Sequence, residues 1–189
     1  FVIGLLGRLE HGKGQHLLIE ALAMAKNDGL APRALIVGHE MNPGYRDKLQ
    51  QQAEANSIGS NVVFLDFTSE PQKLMQLCDC IALTSREETF GLVLPEAMRS
   101  GVAVIGSNKG GVAEIITHEK TGLLFESWDA SSLYKQIRQL YTDANFREQL
   151  GQNGREEADR RFNTEAHFAA LEQHLQQAAA GHQGNNGSS

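Results

Sequence analysis

Two glutamates eight positions apart, Glu88 and Glu96, bracket the run Thr89-Phe90-Gly91-Leu92-Val93-Leu94-Pro95. The apolar stretch Ile81-Ala82-Leu83-Thr84 before them reads as a strand and residues 92–98 as a helix, so the pair straddles a strand–turn–helix junction. Open parallel sheets hold their ligands at such junctions. The first amides of the helix, around Phe90 to Val93, lack an intrahelical acceptor and sit at the positive end of the helix dipole, which favours phosphate. Carboxylates repel phosphate, so Glu88 and Glu96 are read as acceptors for nearby hydroxyls. A ligand that offers both phosphates and many hydroxyls is a sugar nucleotide.

The spacing resembles the E-x7-E motif of the retaining glycosyltransferase family 4, which has the GT-B fold. Four further features fit that family in order: Gly7-Arg8 with Lys13-Gly14, Val37-Gly38, Thr84-Ser85, and Gly110-Gly111-Val112-Ala113-Glu114-Ile115-Ile116. Together they run from residue 4 to about 125. The resemblance implies the donor-binding half of an enzyme that moves a sugar from a nucleoside-diphosphate sugar to a hydroxyl acceptor with retention of configuration. It implies that Arg8 and Lys13 grip the diphosphate, that Glu88 contacts the sugar, and that the departing diphosphate helps deprotonate the acceptor on the same face.

Departure of a nucleoside diphosphate leaves extra negative charge on its β-phosphate, which fixed cations or a metal must stabilise. Arg8 and Lys13 lie in the loop after the first strand, where Gly7, Gly12 and Gly14 let backbone approach a ligand closely. No Asp-x-Asp pair occurs in the chain, so a metal-free mechanism with no cofactor is expected. Glu96 lies inside the helix, but helical side chains lean towards the N-terminus, which brings it to the ribose hydroxyls. Phe90, Gly91, Leu92 and Val93 are expected to act through backbone amides, with the side chains of Leu92 and Val93 in the core. Gly38 is read as leaving room for the nucleotide, while His39 and Glu40 have no assignment. Relatives hold the base at the end of the third strand, Phe64-Leu65-Asp66-Phe67, often with Gly at the Asp66 position.

Two other readings stand beside this one. A non-catalytic module that binds sugar nucleotides would keep the same pocket. Gly7-x4-Gly12-Lys13 also matches the front of a P-loop, with Val62-Val63-Phe64-Leu65-Asp66 as a Walker B strand. That match has Gly14 where a Mg²⁺-holding Ser or Thr is needed. Glu87 is one residue out of register with Glu96. His11 and His16 border the loop as surface histidines, and Glu114 is either a family position or a helix-start carboxylate.

The 189 residues are 41% hydrophobic and 21% charged, an ordinary globular composition long enough for one full core. A net charge of −6 argues against a general grip on nucleic acid. No run reaches the ~20 apolar residues that cross a bilayer. Cys78 and Cys80, the only cysteines, are read as small buried residues in a reducing compartment. The expected setting is the cytoplasm, with attachment of the full-length protein to the inner membrane face left open.

The positioning elements follow from periodicity. Strands are predicted at 1–6, 33–37, 62–65, 80–84, 102–106 and 122–125, and helices at 15–26, 45–56, 70–77, 92–99 and 112–117. Their alternation implies an α/β, Rossmann-like, doubly wound parallel sheet. Three more helices are predicted: one capped by Asp129 or Ser131 and running to Tyr141, one capped by Asp143 and running to about Arg161, and one capped by Thr164 and running to about Ala179. Phe146 and Leu150, with Phe162, Phe168, Leu171 and Leu175, form apolar stripes on them that the sheet is not expected to cover in full. The expected organisation is a donor-binding domain at 1–179 and a disordered tail at 180–189. The chain opens directly on a strand with no Met or leader, so an acceptor-binding N-terminal domain is expected to lie outside it.

Overall fold

Six runs of mostly aliphatic residues form one parallel sheet in the computed structural model, which describes residues 1–162. They are β1 (Val2–Leu6), β2 (Arg33–Val37), β3 (Val62–Leu65), β4 (Cys80–Leu83), β5 (Ala103–Ser107) and β6 (Leu123–Phe125). The strand order is β3-β2-β1-β4-β5-β6. The chain therefore reverses its winding between β1 and β4, and a crevice opens where the loops after those strands diverge.

Among the described residues, seven α-helices cover the two faces: α1 (Gln15–Asn27), α2 (Tyr45–Ala55), α3 (Pro71–Met75), α4 (Val93–Arg99), α5 (Val112–Ile115), α6 (Ala130–Thr142) and α7 (Ala144–Arg161). Strand residues alternate between two cores, as the period of two requires. Ile3, Leu5, Ile36, Cys80, Ala82 and Ile105 pack with α1, α2 and α6. Ile81, Leu83 and Val104 pack with α4 and α5. The helix α7 joins the two layers, since Leu150 belongs to the first core and Ala158 to the second. It passes close under β5, where a Cβ on Gly151 would stand 2.3 Å from the Gly101 carbonyl oxygen.

The predicted elements recur, with small shifts at their ends. The segment read as a helix over 70–77 is α-helical only over Pro71–Met75. Leu77 and Cys78 donate to Leu74 and Met75, three residues back, so the last turn tightens before β4. The segment read as a helix over 112–117 stops at Ile115, because Ile116 turns extended (φ −97°, ψ 122°) and buries its side chain in the second core. Asp129 caps α6 through bonds from the amides of Ser131 and Ser132, and Asp143 caps α7 through the Phe146 amide. Leu150 is buried, with Phe146 and Phe162 packed partly against the cores. The predicted helix from Thr164, its stripe of Phe168, Leu171 and Leu175, and the predicted tail lie outside the described residues.

Cys78 and Cys80 are free and buried. Burial pushes the Cys78 thiol up to about 11, helped by the neighbouring Asp79 carboxylate, and raises Cys80 further.

Candidate functional site

The site begins with the loop from β1 to α1. Gly7 continues the sheet pattern by donating to Val37 O (2.9 Å), then His11–Lys13 forms one 3₁₀ turn before α1. Arg8 stands 60% exposed at the mouth, with Glu10 at 3.0 Å. Its backbone is anchored from below: the fully buried Gln15 donates through Nε2 to the Arg8 carbonyl at 2.8 Å. Thr84 Oγ1, at the end of β4, donates to the Lys13 carbonyl at 2.7 Å.

The β4–α4 loop brings Glu88 onto this frame. Lys13 Nζ donates to Glu88 Oε2 at 2.7 Å, and Ser85 Oγ donates to the same oxygen at 3.3 Å. Two residues 75 positions apart on different loops are thus fixed by neighbouring buried side chains, Thr84 and Ser85, both at 0% exposure. The loop is also clamped from the other side. Gly111 N–H donates to the Glu88 carbonyl at 3.0 Å, and a Cβ on Gly111 would stand 2.2 Å from Thr89 O. Gly91 then takes a left-handed turn (φ +68°) into α4.

Two adjoining cavities open at the carboxyl ends of the strands. The larger, about 610 Å³, is walled by Arg8, Gly38, His39, Phe67, Val93 and Glu96 among others. The smaller, about 340 Å³, is walled by Lys13, Glu88, Phe90, Gly91, Leu92 and Val93. They share Leu6, Gly7 and Val93, so one groove runs from Glu96 and Arg8 at one end to Lys13 and Glu88 at the other. The amides of Gly91, Leu92 and Val93 have no acceptor among the described residues.

Every residue singled out for the site therefore lines this groove, but two details, at Leu92 and Gly38, differ from expectation. Leu92 is 65% exposed rather than buried. The core face of α4 carries Leu94, Ala97 and Met98, and Leu92 precedes Leu94 by two residues, which turns it to the opposite side. Val93 is half-buried and packs against the second core. Gly38 lines the cavity, yet its stricter constraint is the chain itself, because a Cβ there would sit 1.9 Å from the Gly7 carbonyl oxygen.

Other residues were not assigned from the sequence. His39 and Phe67 stack at the far end of the large cavity, with ring centroids 5.2 Å apart and planes 14° from parallel. Asp66 does not occupy the cavity: it pairs with Arg46 at 3.2 Å, and Arg46 also donates to Phe64 O. A Walker-type partnership of Asp66 with the Lys13 loop is therefore not formed. Glu87 lies exposed in a neighbouring depression with Lys109 and Gly110, which meets the smaller cavity at Glu88 and Thr89. His11 is exposed as expected, but His16 is half-buried, stacked on His11 at 4.5 Å and edge-on to Trp128. Burial, and then the proximity of His11, lowers the pKa of His16. Gln15 was the detectable omission, since a buried polar residue at a helix start points to something that needs holding, whereas Thr84 and Ser85 were read only as a family feature and carry the same signal.

Among the described residues, no group of three or more His, Cys, Asp or Glu side chains is arranged to hold a metal ion. No helix among them is long and apolar enough to cross a membrane.

Comparison with known proteins supports the fold and the family. HepE of Anabaena (Alr3699/HepE), solved in complex with UDP-glucose, superposes with a TM-score of 0.86 at 30% identity over 94% of this chain and 49% of its own. The C-terminal domain of a glycosyl transferase group 1 family protein, LpcC of Francisella tularensis, gives a TM-score of 0.79 at 25% identity, covering 86% of each chain. The capsular polysaccharide biosynthesis glycosyltransferase CapM of Staphylococcus aureus is 27% identical over 172 residues, 91% of this chain but 45% of its own length. The chain thus spans about half the length of HepE and CapM. The family model of glycosyl transferases group 1 matches residues 1–157, the span that carries both cavities and all their walls. On that match the chain belongs to the glycosyl transferases group 1 family.

Proposed function

We propose that the groove binds the donor of a retaining, metal-independent glycosyltransferase, a nucleoside-diphosphate sugar, and that this chain is the donor-binding half of the enzyme. The observation that carries the reading is the single groove with Arg8 and Glu96 at one end and Lys13 and Glu88 at the other. On this reading base and ribose lie in the larger cavity, with Glu96 on the ribose hydroxyls. The diphosphate then crosses Gly7 between Arg8 and Lys13, and the sugar lies in the smaller cavity against Glu88. Phe90, Gly91, Leu92 and Val93 offer backbone N–H groups to the sugar and phosphate.

In the reaction, the bond from the anomeric carbon to the β-phosphate oxygen breaks and its electron pair stays on the phosphate. Arg8 and Lys13 stabilise that charge through charge-assisted hydrogen bonds, each worth roughly 1.5–3 kcal/mol. The acceptor hydroxyl attacks the same face of the sugar and its proton passes to the departing phosphate. The acceptor, a glycan, lipid or small molecule, is held by a domain outside this chain, and closure over the groove excludes water. On this reading the partners are the sugar nucleotide and the acceptor rather than nucleic acid, and the setting is the cytoplasm, with the full-length protein either free or at the inner membrane face.

A thermal-shift panel tests this reading. UDP, GDP, ADP, ATP and the common sugar conjugates of the diphosphates are each added with and without Mg²⁺. The UDP-glucose complex of HepE makes the uridine series the first to try. A Mg²⁺-independent rise in melting temperature with one diphosphate series is expected, about 2.7 kcal/mol at 100 times the dissociation constant. Stabilisation only by ATP with Mg²⁺ refutes it.

A further inference from the structure

Lys13 is not a free cation. Its ammonium is held by Glu88 at 2.7 Å, with both side chains about one-fifth exposed (21% and 19%). The pair is rigidly mounted: Thr84 holds the Lys13 backbone at 2.7 Å and Ser85 holds Glu88 Oε2 at 3.3 Å. Glu88 Oε1 has no partner among the described residues, and Glu88 walls the smaller cavity.

We propose that Glu88, by holding Lys13, makes the site prefer the nucleoside-diphosphate sugar over the free nucleoside diphosphate. This rests on the donor-binding reading above. An ammonium has three N–H donors, so Lys13 can keep Glu88 on one and give another to a phosphate oxygen. Glu88 Oε1 is an acceptor, and a sugar provides hydroxyl donors for it. The free diphosphate provides none. Its terminal phosphate carries an added charge at neutral pH and presents only acceptor oxygens there. That charge faces the Glu88 carboxylate and competes with it for Lys13. The carboxylate therefore penalises the product that transfer leaves behind and speeds its exit, while the donor is spared. One added charge in a site this shielded from water corresponds to about tenfold in affinity.

Calorimetric titration of wild type and Glu88→Gln with UDP and UDP-glucose, and with the GDP and ADP pairs, tests the proposal. Gln keeps the length and an acceptor oxygen but removes the charge. Glu88→Gln is expected to bind the diphosphate about tenfold more tightly and its sugar conjugate no more tightly, so that the preference for the sugar form falls about tenfold. Ser85→Ala, which loosens the carboxylate while leaving its charge, should shift the same ratio by about twofold, and it serves if Glu88→Gln does not fold. An affinity ratio unchanged from wild type in the folded variants overturns the inference and leaves the donor-binding reading standing. If wild type binds no diphosphate and no sugar conjugate, the donor-binding reading falls and this inference falls with it.

Discussion

Replacing Gly111 with alanine separates two opposed expectations. Gly111 leads into α5 with φ −61°, ψ −19°, a conformation open to any residue. From propensity alone, alanine there should stabilise the protein by roughly 0.4–1 kcal/mol, because the unfolded chain loses freedom. The structure reverses the sign. The new Cβ would lie 2.2 Å from Thr89 O and 2.9 Å from its carbonyl carbon, and real Cβ contacts stay beyond 3.0 Å. Backbone must therefore give way, and the bond from Gly111 N to Glu88 O, now 3.0 Å, stretches or breaks. Overpacking costs about 1–3 kcal/mol and a lost backbone bond about 1 kcal/mol, which outweighs the propensity gain. A net loss of about 2 kcal/mol lowers the melting temperature by roughly 4–8 °C in a chain of this size. Urea denaturation gives the free energy, and calorimetry with UDP-glucose gives the effect on the groove, where a displaced Glu88 should weaken binding of the sugar conjugate. Gly12→Ala on the neighbouring loop is the control, since nothing lies within 4 Å of its Cβ. A Gly111→Ala protein as stable as wild type, or more so, would refute the clamp.

Other outcomes follow from single contacts. Asp129→Ala removes the cap that accepts from Ser131 N (2.8 Å) and Ser132 N (3.0 Å), and should cost about 1 kcal/mol in urea denaturation. Glu96→Ala should weaken UDP several-fold in calorimetry and leave inorganic pyrophosphate unaffected, because a ribose contact is absent from the latter; equal losses for both ligands would count against that role. Cys78, raised to about 11, and Cys80, raised further, should resist a thiol reagent at pH 8 in the native protein and both react in urea. The same shift has a stability consequence. A thiol kept neutral in the fold contributes stability that is present below its unfolded pKa, near 8.5, and lost as pH rises from there through about 11. The urea midpoint should fall across that window, and substituting Cys78 and Cys80 by Ala should flatten the fall.

Much of the architecture was legible because its signals are local. The alternation of short apolar runs with helical periodicity located every strand, and Asp129 and Asp143 announced the helices they cap. The groove residues were legible because Gly, Arg, Lys and Glu sit at loop positions where periodicity stops. What stayed hidden depends on contacts between distant residues. The Lys13–Glu88 ion pair spans 75 positions, and neither residue's neighbours in the chain announce the other. Gly38 and Gly111 read as room for a ligand or as a family feature, whereas their demand comes from the carbonyls of Gly7 and Thr89. The exposure of Leu92 turned on the phase at which α4 begins, which a shift of one residue decides. The stacking of His39 on Phe67 joins the ends of β2 and β3, and no pattern within either strand encodes it.

The strand order has a consequence for how the chain is made. β1 lies at the centre of the sheet, paired on one side with β2 and on the other with β4, where Ile3 meets Cys80. Its first partner arrives about 30 residues later and its second nearly 80 later. At a synthesis rate of about 5–20 residues per second, the β4-facing edge of β1 waits on the order of 4–15 s after translation. Through that interval a β1–β2–β3 half-sheet presents a bare row of N–H and C=O groups beside apolar side chains. The ribosome-bound nascent chain is thus at its most vulnerable to strand addition by other polypeptides, and to capture by chaperones, until Cys80–Leu83 closes that edge.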